Sequence, residues 1–431
     1  MRRRALMVVA ACAGLASSLC AQEAAEGDFA SQIAALAAAR HEGNRNGWAE
    51  LSRAIALKHE LMEAADARHA AAGAGEHPSV VAGELGAGPL PRDGVEGGLW
   101  YIDRARELGV FDALGDFAEI GQAWQPIDQA EPVDPMMTQR LDTSSTIREL
   151  ARICRAAMRL AAVEGDADAQ VARFDELLAL AGATADRLLI VDRLVAAARV
   201  ALATEEARCQ TVEGLIDAET ARRMLALIDH RLPLAPLSAT RRAETLYAAA
   251  MTLEMLPADW PDAQREQFVA GLLEAVRAEQ AADAPDPADM EDPPEQPEDL
   301  IPFLAQTIRD SLTQAERIEP IIALHTDGAR IALALEVYRA AEGAYPDGLD
   351  ALAPQILPAL PADPFTQAPF GYRRLEAPDE HGRAYLLWSA GADGADNGGR
   401  THAEGSYMAL QDRGAGFDFV LNDPRRPAPA P

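Results

Sequence analysis

Lysine is almost missing from this chain of 431 residues: Lys58 is the sole one, and arginine supplies the other basic side chains. A Walker phosphate loop is thereby excluded, because its lysine must follow a glycine-rich turn and Lys58 sits in a helical pattern. Positive charge is scarce as well. The 68 acidic residues outnumber 39 Lys and Arg, for a net charge of −29, which excludes nucleic acid as a natural partner and disfavours anionic membrane surfaces. There is no Gly-x-Ser-x-Gly elbow, no Cys-x-x-Cys and no His-x-x-x-His pair, so no catalytic or zinc motif declares itself. Cysteines number 4. Only Cys154 and Cys209 lie beyond the amino-terminal segment, which allows one bridge at most and excludes a disulfide scaffold.

What is present begins with a targeting pattern. Met1-Arg2-Arg3-Arg4, the apolar run Ala5 to Ala16 and the small residues Ser18 to Ala21 read as a secretory signal peptide over 1–21. A rival reading is lipidation, since Val9-Ala10-Ala11-Cys12 fits the small-residue pattern before an acylated cysteine. The expected location is periplasmic or secreted, with a lipid anchor through Cys12 as the alternative. No later window is apolar enough for a transmembrane segment. In an oxidising compartment Cys154 and Cys209 either pair or serve as two buried small hydrophobes.

From 27 to 281 the periodicity predicts a mainly α-helical region with loops near 73–99 and 121–141. Residues 27–72 carry Phe29, Ile33, Leu36, Trp48, Leu51, Ile55 and Leu61 on one side, interrupted around Gly43–Gly47. His59-Glu60-Leu61-Met62-Glu63 lacks the second histidine of a zinc-protease helix and reads as a solvated face. Leu99 to Ala118 reads as one helix. Thr143 or Ser144 is placed to cap a helix that ends at Glu164-Gly165-Asp166, and a second helix to Gly182 completes a hairpin of tetratricopeptide-like architecture. The acidic set Asp166, Asp168, Asp175 and Glu176 is explained by the helix start, where the dipole favours anions. Further helices are expected at 185–209, 218–230, 238–256 and 261–281, the first central and buried. Residues 282–299, with eight acidic residues, five prolines and no basic ones, read as an extended linker. Pro320 is expected to interrupt the helix that follows. Residues 423–431 read as a disordered tail.

The chemistry concentrates after residue 300. Strand Ala384 to Trp388 runs into Ser389-Ala390-Gly391-Ala392-Asp393-Gly394-Ala395-Asp396-Asn397-Gly398-Gly399. Glycines turn carbonyls inward and carboxylates add hard oxygen donors, which are the ingredients of a calcium loop; an Asp-Gly hairpin that binds nothing is the plain alternative. It is not an EF-hand, because no Glu closes it on a helix. His325, His381 and His402 have no neighbour that makes them bases and are expected at the surface.

The order of pieces is more specific than any one of them. A helix ending Gly343-Ala344-Tyr345-Pro346 precedes Leu360-Pro361-Ala362-Asp363-Pro364-Phe365 and Phe370-Gly371-Tyr372; the loop and Phe417-Asp418-Phe419 follow. Over roughly 320–422 this series resembles the globular part of the major pseudopilins of type II secretion systems. The resemblance implies a helix packed on a small three-stranded antiparallel sheet, giving a C-terminal α+β domain over 300–422. It also implies a structural calcium ion held by the carbonyl of Ala390, the carboxylate of Asp393 and the carbonyl of Ala395. Asp396 is the candidate for the remaining carboxylate, and Asn397, Glu404 and Asp412 are open as the closing ligand. The pilin leader and long apolar anchor helix are not found before this domain, so entry into a filament in the family's manner is not expected. The resulting expectation is an exported, non-enzymatic envelope protein. Its helical region would be a scaffold or binding surface for protein partners, beside a secretion or pilus-like machine. A periplasmic hydrolase with its site among the helices of 143–281 is the alternative.

Overall fold

The computed structural model describes residues 43–73, 75–85, 95–124, 133–187, 189–234, 237–256, 259–277, 297–402 and 416–423. The signal segment, residues 282–296, Glu404, Asp412 and the tail from 424 lie outside them. Helices α1 (Trp48–Ala72), α2 (Pro78–Leu85), α3 (Glu96–Glu107) and α4 (Val110–Ile120) come first. They are followed by α5 (Val133–Glu164), α6 (Ala167–Ala185), α7 (Ile190–Val212), α8 (Ala218–Arg231), α9 (Leu237–Met255) and α10 (Asp262–Arg277). The long α11 (Pro297–Glu342) then leads into a three-stranded antiparallel sheet in the order β1 (Gly371–Arg374), β2 (Tyr385–Ser389), β3 (Phe419–Val420). Over the described residues the chain is thus mostly helical with one small sheet, as expected at that level.

Local chemistry sets the breaks. Gly109 takes φ 79° and splits the helix expected over 99–118 into α3 and α4. At the α5–α6 hairpin, Gly165 has φ 75°, and the N–H of Asp166 reaches back to Ala161 O at 2.9 Å. The Asp166 carboxylate then accepts from Ala169 N and starts α6. Three stretches differ from the sequence reading. The loop expected over 73–99 holds α2, and that over 121–141 holds the first turns of α5, so Thr143 and Ser144 lie inside a helix rather than at its cap. Ser144 Oγ instead donates to Asp192 across to α7. Pro320 does not interrupt α11. A proline inside a helix costs about 3 kcal/mol, but residues on both sides of it pack against the bundle, Ile318 before it and Ile322 and Leu324 after it.

One apolar core holds residues from Leu51 to Leu421, so α1 to α8, α11 and the sheet share one interior. The sheet lies on α11, and two close approaches fix it there. A Cβ on Gly328 would sit 2.5 Å from Leu421, and one on Gly371 would sit 2.0 Å from the indole of Trp388, its cross-strand partner. All five residues of β2 are buried. Tyr385 and Leu387 belong to the main core, while Leu386, Trp388 and Val420 form a separate cluster on the opposite face.

α7 is the central buried helix, but it carries charge inside. Arg193, Arg199, Glu206 and Arg208 are all buried, and Arg199 donates to Thr184 Oγ1 and the carbonyl of Ser144. Glu206 takes Arg155, Arg159 and Gln210; Arg193 forks onto Glu319 of α11; Arg208 donates to the carbonyls of His325 and Leu421. Even Lys58 is buried, paired with Glu149. Among the described residues no helix is long and apolar enough to cross a membrane.

Candidate functional site

The glycine-rich loop folds back over the outer face of β2 and so covers Trp388. Gly391, Gly394, Gly398 and Gly399 all have φ between 70° and 81°, the left-handed region open to glycine. Gly399 lies so close to Trp388 that a Cβ there would sit 3.2 Å from the indole. Trp388 Nε1 donates to Asp396 Oδ1 at 2.9 Å, tying the exposed loop acid to the strand beneath it.

The predicted ligand residues sit together on this loop. Asp393 Oδ1 accepts from Ala395 N at 3.0 Å, and Asp396 Oδ1 accepts from Gly398 N at 2.9 Å, so each carboxylate closes an Asx turn with one oxygen. Their Oδ2 atoms take no part in these bonds. Ala395 O accepts from Asn397 Nδ2 at 2.7 Å, which sets the Asn397 side chain against a predicted carbonyl donor. Ala390 is buried, and its amide donates to Asp363 Oδ2. Glu404 and Asp412 lie outside the described residues. No three His, Cys, Asp or Glu side chains converge as a metal cluster among the described residues. The expected set contains only two carboxylates and draws its other donors from the backbone, so its oxygen chemistry suits a hard cation such as calcium.

Two further acids, not chosen from the sequence as site residues, hold the loop at its ends. Asp363 Oδ2 takes the amide of Ala390 at the start, and its Oδ1 takes that of Phe365. Asp418, fully buried, accepts from Asn397 N at 3.0 Å and from Gly399 N at 2.7 Å. Burial raises the Asp418 pKa above the ordinary carboxylate value, the backbone N–H groups oppose that, and nearby Asp396 adds to the rise. The sequence did carry a cue. Both acids stand beside aromatic residues in short apolar runs, Asp363-Pro364-Phe365 and Phe417-Asp418-Phe419, and an acid buried in such a run needs partners.

Other expectations resolve differently. Cys154 and Cys209 are both buried and are not joined in a disulfide. His59, Glu60 and Glu63 are exposed. Of the four acids expected at a helix start only Asp166 and Asp168 stand there, while Asp175 and Glu176 lie midway along α6, and the four do not converge: Asp166 caps, Asp168 pairs with Arg223, Asp175 pairs with Arg231, and Glu176 is buried against Arg173 and Cys154. His325 is buried rather than exposed, edge-on to Phe419, and burial with Arg208 alongside lowers its pKa, so the ring is neutral. His402 packs on Phe417. Comparison with family models, with curated proteins and with solved structures returned no match.

Proposed function

We propose that the chain is an exported, non-enzymatic envelope protein. Its helices form a scaffold for protein partners, and its C-terminal pseudopilin-like domain is stiffened by one calcium ion. The ion is held by the carbonyls of Ala390 and Ala395 and the carboxylates of Asp393 and Asp396. One observation carries this reading: a loop with four left-handed glycines and two half-committed carboxylates is stretched between two buried acid anchors, Asp363 and Asp418, on the outer face of a sheet. Such a loop has most of its ordering entropy already met by the anchors, so a cation completes it at low further cost. The packing of α11 against α7 and α8 also supports a scaffold rather than a filament subunit, because the flank that a pilin helix would offer its neighbours is covered by the chain's own helices.

The test is metal analysis of the purified mature protein after dialysis against trace calcium, with magnesium present. About one calcium per chain is expected. None bound would reduce the loop to an Asp-Gly turn and remove the basis for the pseudopilin-like reading. A hydrolase screen on the same sample discriminates the alternative: turnover that survives removal of calcium would place the activity among the helices of 143–281.

A further inference from the structure

Arg208 sits where α7, α11 and β3 meet, and its guanidinium serves both of the other elements. Its Nε donates to Leu421 O at 2.8 Å and its Nη1 to His325 O at 2.9 Å, while Nη2 lies 3.1 Å from His325 Nδ1. A guanidinium has donors and no acceptor, so Nδ1 must accept, and the neutral ring carries its proton on Nε2. All three residues are withdrawn from water: Arg208 is 1% exposed, His325 2% and Leu421 3%. The fit is tight as well. Phe419 stands edge-on to the imidazole with ring centres 5.6 Å apart, and Leu421 packs where Gly328, three residues further along α11, has no side chain.

The charged neighbours do not welcome a proton on this ring. Arg208 faces it from α7 and, with burial, opposes its charging. On α11 itself Asp327 is engaged by Arg330, which also holds Asp229 of α8. Along β3, Asp418 turns to the amides of Asn397 and Gly399, Asp423 is buried just past the strand, and His402 packs on Phe417. A proton on Nδ1 would turn the acceptor into a donor and set an imidazolium against a guanidinium where water cannot screen them. We propose that His325 is an acid-operated latch: protonation of Nδ1 breaks its bond to Arg208 and releases the segment 416–423, with β3, from α7 and α11 while the helices stay folded. A separate tie, between the side chains of Tyr385 and Thr211, holds β2 on α7 and does not depend on the latch.

The experiment is hydrogen exchange of the full mature chain at constant calcium, from neutral pH down through the histidine range, corrected for the intrinsic pH dependence of amide exchange. The ring binds a proton more weakly in the closed form than in the open one, so the closed form holds at neutral pH. As pH falls from the ordinary histidine value toward the depressed one, the opening equilibrium of 416–423 should rise about tenfold per pH unit. Helices α5 and α6 should keep their protection over that interval. His325→Gln retains an oxygen that can accept from Arg208 but takes up no proton, so it should flatten the slope; His402→Gln, which leaves the latch intact, should not. If His325→Gln fails to fold, the ring nitrogen resonances of the wild-type chain decide: an Nε2–H tautomer at neutral pH is expected, with a titration that coincides with the opening of 416–423. The proposal is overturned if 416–423 shows no such opening, if the slope survives in His325→Gln or is lost in His402→Gln, if the ring is the Nδ1–H tautomer or titrates apart from the opening, or if α5 and α6 lose protection in step with 416–423.

Discussion

Acidic side chains are buried at both ends of this molecule, but they are answered differently. In the helical region Glu206 is met by Arg155 and Arg159, so charge meets charge. Around the C-terminal loop Asp363 and Asp418 are met by backbone amides alone. The first arrangement binds two helices, α5 and α7, to each other and leaves uncompensated charges if one member is lost. The second fixes the course of a loop, and its loss leaves backbone amides rather than charges unmet. Ion pairs here join elements, and amide clamps shape a segment.

The largest expected effect tests the first half. Glu206→Ala should destabilise the chain by about 3–5 kcal/mol, because Arg155 and Arg159 lose a buried counter-charge; chemical denaturation measures it. A loss below about 1 kcal/mol would mean that the cluster is hydrated or redundant, and the contrast would fail. Asp418→Asn should cost less, about 1.5–3 kcal/mol, and should loosen the loop before the rest. Limited proteolysis should therefore cut within 391–400 at protease levels that leave the helices intact. Cutting in α5 or α7 at the same dose would show that the clamp is global.

A pH series sharpens the comparison further. Burial raises the Glu176 pKa from its usual 4.5 to about 8 despite Arg173 beside it. Its folded pKa is above the unfolded one, so its contribution is fully present below about pH 4.5 and is lost as pH rises toward 8. Glu176→Gln should flatten the stability profile between those limits and be neutral or stabilising at the upper one. His325 acts in the opposite sense. Its folded pKa is depressed, so stability is lost as pH falls through the ordinary histidine range. An unchanged slope in Glu176→Gln would show that the carboxylate is ionised in the fold. The smallest expected effect is Asp393→Ala without calcium, under about 1 kcal/mol, because only one exposed Asx turn is lost.

What the sequence made legible follows the same division. Helices with a clear apolar period, the Gly165–Asp166 turn and the strand before the glycine loop stand near where periodicity and turn chemistry place them. The apolar run of α7 reads as central and buried, but the pairing of its charges does not announce itself, because the partners of Glu206 and Arg208 are not its neighbours in sequence. Those partners are remote: Arg208 meets Leu421 across 213 positions. Helix α11 passes through Pro320 for a similar reason, because packing by other helices outweighs a local preference. The predicted loop acids each close an Asx turn on the glycine loop, and the two anchors are marked in the sequence only by a single acid in a short apolar run.

The most direct measurement is a pair of thermal melts, in calcium and in chelator, on the wild-type chain, on Asp393→Ala and on Asp175→Ala. The calcium-stabilised loop predicts a higher melting temperature in calcium for wild type, and the same calcium shift for Asp175→Ala, whose carboxylate pairs with Arg231 far from the loop. Asp393→Ala should melt in calcium where wild type melts in chelator. Equal calcium shifts in all three proteins, or no shift in any, would contradict the account.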